Sequence, residues 1–313
     1  MSSRLQRPRS FMGGKWSSPT AWVVPAFRSR GYTVVSVGYR MLPHVGIKDI
    51  MTDVRTAYAW CMDNLPRLVG ADPCAGVIAG ASAGATAALL AGFDFDPKPK
   101  AVINVYGMVD MLDPSHHTTL PFKADPYITS ATEGELAEAM KTRDPSKALV
   151  QCPWAGDLPP VVPLEVTRAH LGLPEYTPTD ATFFHLDLVT YMVKKRIMLR
   201  TVFRCDETAD DSVFRATLRA WNPLDRLAND VEVARAYPPT FILHGSADQF
   251  VPLHEATKMA AILRRAGVAV GEAYPEGMDH CFDWAIGSPK DEGWVECVIP
   301  MLDFLDAHLR GPT

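Results

Sequence analysis

Cysteine is scarce and unpatterned: six in 313 residues, at Cys61, Cys74, Cys152, Cys205, Cys281 and Cys297, with no C-x-x-C pair. That excludes a disulfide-stapled miniprotein, fits no common zinc spacing and suits free thiols in a reducing compartment. Acidic residues are absent from the first 48 positions, which carry eight Lys or Arg. Arg4, Arg7 and Arg9 among serines resemble a transit peptide in composition, but no apolar run of a secretory signal follows before Gly13, Gly14 and Lys15, so a cytoplasmic location is expected. Charge is also missing from Cys74 to Phe93. The centre of that stretch is Gly80-Ala81-Ser82-Ala83-Gly84 and its leucines come only at its end, so it reads as a buried strand and a small-residue helix rather than a membrane span. No G-x-G-x-x-G, G-x-x-x-x-G-K-[ST] or H-E-x-x-H occurs, which leaves dinucleotide, P-loop and zinc-protease readings without support. Neither cofactor nor metal is expected.

What is present is ordinary for a packed globular chain: 47% hydrophobic and 21% charged residues, with 9% aromatics. A net charge of -5 gives no general attraction to nucleic acid or to anionic lipid, so neither nucleic-acid binding nor stable membrane insertion is expected. Nothing excludes a homodimer.

Strand and helix signals alternate over residues 1–107. Tyr32 to Tyr39 is β-branched and aromatic and reads as a strand. Asp49 to Asn64 places Ile50, Val54, Ala57, Tyr58 and Cys61 on one helical face, and this helix is expected to end before Pro66. Gly76 to Ala79 reads as a buried strand, Ser82 to Leu90 as a helix and Ala101 to Tyr106 as the next strand. The alternation returns over 238–313, with strands at Thr240 to His244 and Val268 to Tyr274 and helices at Pro252 to Arg265 and Gly293 to Leu309. Strands apolar on both faces, separated by helices, predict a doubly wound, mostly parallel α/β sheet. Residues 108–237 break the rhythm. Their proline-rich passage (Pro153, Pro159, Pro160, Pro163, Pro174, Pro178) and helical stretch from Asp180 to Ile197 predict an inserted helical cap. Its aromatics, Trp154, Tyr176, Phe183, Phe184, Tyr191 and Phe203, either pack that cap or line an apolar pocket.

Ser82 lies between glycines where a strand turns into a helix, the context in which a sharp turn lifts a hydroxyl clear of the sheet. A serine hydroxyl needs a histidine to take its proton and an acid to orient that histidine. Asp248, in His244-Gly245-Ser246-Ala247-Asp248, follows one strand, and His280, in Gly277-Met278-Asp279-His280, follows the next. Both loops open on the same sheet edge as the serine turn. Asp110 is a competing acid, His244 a residue that helps shape the site, and Asp279 and Asp283 read as solvated or local turn acids. His44, His170, His185, His254 and His308 read as ordinary polar residues. The adjacent His116 and His117 point apart in an extended loop and lack a third ligand, so they are not assigned to a metal.

The order Ser, Asp, His and the four segments Gly31 to Arg40, GASAG, HGSAD and GMDH resemble those of the α/β-hydrolases, most of all the hormone-sensitive-lipase-like esterases, over 11–107 and 238–310. The resemblance implies Ser82 as nucleophile, Asp248 as orienting acid and His280 as general base. It also implies a His-Gly-Gly-Gly-type segment before Phe11, where this chain has Arg7-Pro8-Arg9-Ser10. That leaves the Ala83 amide, with Gly13 or Gly14, as oxyanion donors, and two or three N-terminal strands are expected to be missing, as from a truncated or alternative start. The expected activity is hydrolysis of the carboxylic ester of a medium-sized hydrophobic small molecule through an acyl-enzyme, in secondary metabolism. The alternatives are a prolyl-oligopeptidase-like peptidase or amidase, and a non-catalytic relative.

Overall fold

The computed structural model describes residues 4–8, 22–118, 131–150, 180–205 and 210–309. Among the described residues six strands form one parallel sheet: β1 (Arg4–Pro8), β2 (Thr33–Val37), β3 (Gly76–Ala81), β4 (Ala101–Val105), β5 (Thr240–Leu243) and β6 (Val270–Ala273), in the order β2-β1-β3-β4-β5-β6. The helices that connect and cover them are α1 (Val23–Ser29), α2 (Ile47–Val69), α3 (Ala83–Asp94), α4 (Glu133–Ala139), α5 (Asp180–Lys194), α6 (Met198–Val202), α7 (Asp211–Trp221), α8 (Pro223–Asn229), α9 (Val231–Arg235), α10 (Leu253–Arg265) and α11 (Ile299–Leu309). From β1 the chain first moves outward to β2 and then crosses back to β3 on the other side. That reversal opens a crevice at the carboxyl ends of the neighbouring strands, where ligands of such sheets bind.

Alternation along the strands divides the core into two layers. Val77, Ala79, Ala101, Ile103, Phe241 and Leu243 face Trp22, Phe27 and the α11 residues Met301, Leu302 and Leu305. Ile78 and Val102 face the opposite way, toward α2, α3 and α10 residues such as Val54, Leu89 and Leu263. Because both faces are covered, β3, β4 and β5 have no polar face, apart from residues such as Asn104 and Thr240 that are themselves buried.

Three local expectations need correction. The basic stretch at Arg4–Pro8 is an interior strand, with Leu5 in register with Val34 on one side and Val77 on the other. With a single apolar residue it carries no period-2 signal, and its strand character comes from neighbours on both sides. Helix α2 runs through Pro66 to Val69 rather than stopping before it. The proline removes one donor near the end, while burial of Tyr58, Cys61, Met62 and Leu65 holds the helix together until Gly70, at φ 65°, closes it by donating its N–H to Pro66 O (3.0 Å). The last helix is interrupted: Trp294–Val298 is a π turn and the α-helix begins at Ile299, where Pro300 lacks an N–H for the preceding turn.

The described part of 108–237 is helical, with short 3₁₀ turns. Its last helices lie against the sheet-covering layer: α8 packs on α3 and α10, Arg226 grips Asp94 with two nitrogens (2.6 and 3.1 Å), and the Tyr237 hydroxyl donates to Leu89 O (2.8 Å). The prolines from Pro153 to Pro178, with His170, Trp154, Tyr176 and the Phe183 side chain, lie outside the described residues. Phe184 and Tyr191 pack against the core, and Phe203 is buried 6.1 Å from the Trp221 ring.

The segment after β4 is fixed by a buried carboxylate. Glu255, in the first turn of α10, accepts the N–H groups of Val109 (2.9 Å) and Asp110 (2.7 Å) on one oxygen and meets His116 Nε2 at 2.6 Å with the other. Its side chain is wholly buried. Removing one member of such a group strands its partners away from water. Glu255→Ala is expected to lower unfolding stability by about 3–5 kcal/mol in urea denaturation; a loss below ~1 kcal/mol would contradict this anchoring role.

Candidate active site

Ser82 joins β3 to α3 with φ 53° and ψ -127°, a backbone conformation that costs a side-chain-bearing residue about 1–3 kcal/mol. Hydrogen bonds on both sides enforce it. The Ser82 N–H continues the sheet by donating to Val105 O (2.9 Å), while its carbonyl already accepts from Ala85 N (2.9 Å) and Thr86 N (3.3 Å) in the first turn of α3. Strand and helix approach so closely that a Cβ on Gly80 would lie 2.1 Å from Gly84 O. Glycine at position 80 is therefore a steric requirement of the turn. The Ala83 N–H belongs to the first turn of α3, where backbone donors have no partner within the helix.

Asp248 and His280 arrive on the loops after β5 and β6. The Ser82 hydroxyl is 2.9 Å from His280 Nε2, and His280 Nδ1 is 2.7 Å from Asp248 Oδ2. Nδ1 donates to the carboxylate, which leaves the Nε2 lone pair to accept the Ser82 proton. The Asp248 side chain is fully buried, and its other oxygen accepts the N–H groups of Phe250 (2.8 Å) and Val251 (2.9 Å). Burial alone would raise its pKa. The hydrogen bonds from His244 and His280 outweigh that and hold the carboxyl well below the usual carboxylate range. The resulting stabilisation is present above the unfolded carboxylate value of about 4 and is lost as pH falls toward the folded value.

The two loops are stitched together. Ala247 N–H donates to Met278 O (2.9 Å), and the Gln249 backbone and side-chain amides donate to Asp279 (3.0 and 3.1 Å). Asp279 is thus a loop tie. Asp283, read from sequence as a local turn acid, is instead buried, accepting from the Tyr106 hydroxyl (2.6 Å) and Trp22 Nε1 (3.1 Å). Its partners lie 177 and 261 residues away in sequence, so no local pattern reveals it. Tyr106, at φ 41°, also lays its ring 4.6 Å from the His280 imidazole. Burial, reinforced by the nearby Asp283 charge, pushes the Cys281 thiol far up.

The remaining candidates are occupied elsewhere. Asp110 Oδ1 accepts from Leu112 N and Asn222 Nδ2 (both 3.1 Å). His116 is held by Glu255, His117 Nε2 by Met111 O (2.9 Å), and His254 Nε2 lies 2.6 Å from Asp113. His308 Nδ1 donates to Phe304 O (2.7 Å). Burial lowers the pKa of His44 and carries that of His185 down to about 4. Gly13 and Gly14 lie outside the described residues. Among the described residues no group of three or more His, Cys, Asp or Glu is placed to hold a metal ion, and no helix is long and apolar enough to cross a membrane.

Two family models match in sequence: the alpha/beta hydrolase fold over residues 10–169 and the prolyl oligopeptidase family over 181–311. Curated relatives include non-reducing polyketide synthases of Stachybotrys bisbyi (26% identical over 300 residues, 91% of this chain) and Preussia isomera (27% over 291 residues, 88%). The chain spans only 12% of the length of each. Among solved structures, a Staphylococcus aureus protein of unknown function superposes with a TM-score of 0.63 at 19% identity, covering 99% of this chain and 90% of its own. An esterase of Thermogutta terrifontis does so with a TM-score of 0.54 at 17% identity, covering 100% and 86%.

His244 closes the floor of the site. It is wholly buried at the end of β5, and its Nε2–H donates to Val251 O (2.8 Å) and lies 3.3 Å from Asp248 Oδ2. His244→Phe keeps a ring there and removes the donor. It is expected to cost about 1–3 kcal/mol of stability by urea denaturation, the cost of leaving buried acceptors unpaired. An undiminished midpoint would contradict this role.

Proposed function

The chain belongs to the alpha/beta hydrolase fold family, and from that premise we propose that it is a serine hydrolase that cleaves a carboxylic ester through an acyl-enzyme. The observation that carries this reading is the hydrogen-bonded series Ser82, His280, Asp248, with separations of 2.9 and 2.7 Å. His280 Nε2 takes the proton as Ser82 Oγ attacks the carbonyl carbon. Asp248 fixes the imidazole tautomer and stabilises the cation that forms. The Ala83 N–H donates to the developing oxyanion, aided by its place at the start of α3. The leaving oxygen collects the proton from His280, and water, deprotonated by the same imidazole, then releases the acid and restores Ser82. No step requires a cofactor. The polyketide synthases among the relatives support an acyl compound of secondary metabolism as the substrate.

A second reading is favoured by one observation, the prolyl oligopeptidase match over 181–311, which covers both Asp248 and His280. Amide cleavage would use the same three groups. Turnover of an amide sharing the acyl group of a cleaved ester decides between them: no amide cleavage is expected, and amide cleavage that Ser82→Ala abolishes would favour the peptidase reading. In the same assay Asp248→Asn, which leaves the imidazole with the wrong tautomer, is expected to lower kcat by about 10⁴-fold. Ser82→Ala should remove the acyl-enzyme route. Ester turnover unaffected by Ser82→Ala would overturn the assignment.

A further inference from the structure

Two aromatic rings approach the His280 imidazole, and they differ in exposure. Tyr106, 4.6 Å away, is 1% exposed, with its hydroxyl given to Asp283. Phe250, 5.4 Å away on the Asp248 loop, is 49% exposed. Phe250 does not belong to a loose segment. Besides the loop-to-loop hydrogen bonds, Gly245 lies so close that a Cβ there would come within 2.3 Å of Met278 O, and the Phe250 N–H is held by Asp248. A large apolar ring on a fixed loop, left half in water against a proton-transfer group, marks a surface that a ligand covers.

The reaction geometry says which part of a ligand that is. The new bond forms between Ser82 Oγ and the carbonyl carbon, so the acyl substituent extends from the serine. The bond that breaks joins that carbon to the leaving oxygen, which must come within hydrogen-bond reach of His280 Nε2 to collect the proton taken from Ser82. The group carried on the leaving oxygen therefore passes beside the imidazole. Tyr106 is buried, so the half-exposed side is the one Phe250 flanks.

We propose that Phe250 forms the alcohol-side subsite, which selects esters of aromatic or bulky apolar alcohols over esters of small alcohols. The inference rests on the hydrolase reading of Ser82 and adds the half of the substrate that departs first.

Naphthylmethyl butanoate and methyl butanoate share their acyl group and have leaving alcohols of similar acidity, so they differ in the bulk of the alcohol. Any effect of Phe250→Ala on the imidazole itself applies to both esters and cancels in the ratio of their kcat/KM values. That naphthylmethyl-to-methyl ratio is expected to fall about ten-fold in Phe250→Ala, the scale of one lost apolar contact. An unchanged ratio would show that Phe250 only packs on His280 and would overturn the subsite. A measurement on the unaltered chain guards against a variant that does not fold. During butanoate turnover, added benzyl alcohol should capture the acyl-enzyme in preference to equimolar methanol, since the acceptor enters where the leaving alcohol left. Equal capture would overturn the subsite too. An unaltered chain that cleaves neither ester would defeat the hydrolase reading itself, an outcome distinct from cleavage without selectivity.

Discussion

A serine held at φ 53° between β3 and α3 is the constraint to which the surrounding structure is fitted. The strain persists because the Ser82 N–H is committed to the sheet and its carbonyl to the helix, so relaxing the backbone would break one element or the other. Close contact between β3 and α3 follows, and it leaves room for no side chain at Gly80. It also places the first backbone donors of α3 beside the hydroxyl, where negative charge develops in acyl transfer.

The partners of Ser82 are held with comparable care. Asp248 spends one oxygen on backbone N–H groups and directs the other at His280 and His244, so a buried carboxylate remains ionised without a neighbouring Lys or Arg among its hydrogen-bond donors. Tyr106 packs on His280, and its hydroxyl ends on Asp283, three residues beyond the histidine. The end of β4 thereby steadies the loop after β6. Glu255 does the same for the chain beyond Tyr106 by tying Val109 and Asp110 to the helix that follows the Asp248 loop. Three strand ends are thus joined by side-chain hydrogen bonds around one reacting oxygen.

Ser82, Asp248 and His280 stand out in the sequence because each sits just beyond an apolar strand, and parallel strands send such loops to one edge. The structure brings those three side chains together. The strands and most helices are legible for the same reason, since burial on two faces leaves continuous apolar runs. Other features depend on distant partners and leave no local trace. The strand at Arg4–Pro8 owes its form to β2 and β3, and α2 passes through Pro66 because its buried face outweighs one missing hydrogen bond. Asp283 and Glu255 look like surface acids until the chain folds around them. Phe250 is an apolar residue beside a candidate acid, and only its ring contact with His280 gives it meaning.

The central claim is that Ser82 is a nucleophile activated by His280. Its most direct test is reaction of the folded chain and of its His280→Ala variant with a fluorophosphonate, followed by peptide mapping of the adduct. The account predicts a single adduct on Ser82, formed far more slowly in His280→Ala, which lacks the imidazole that must accept the serine proton. A folded chain that forms no adduct, or forms one on a residue other than Ser82, would contradict it.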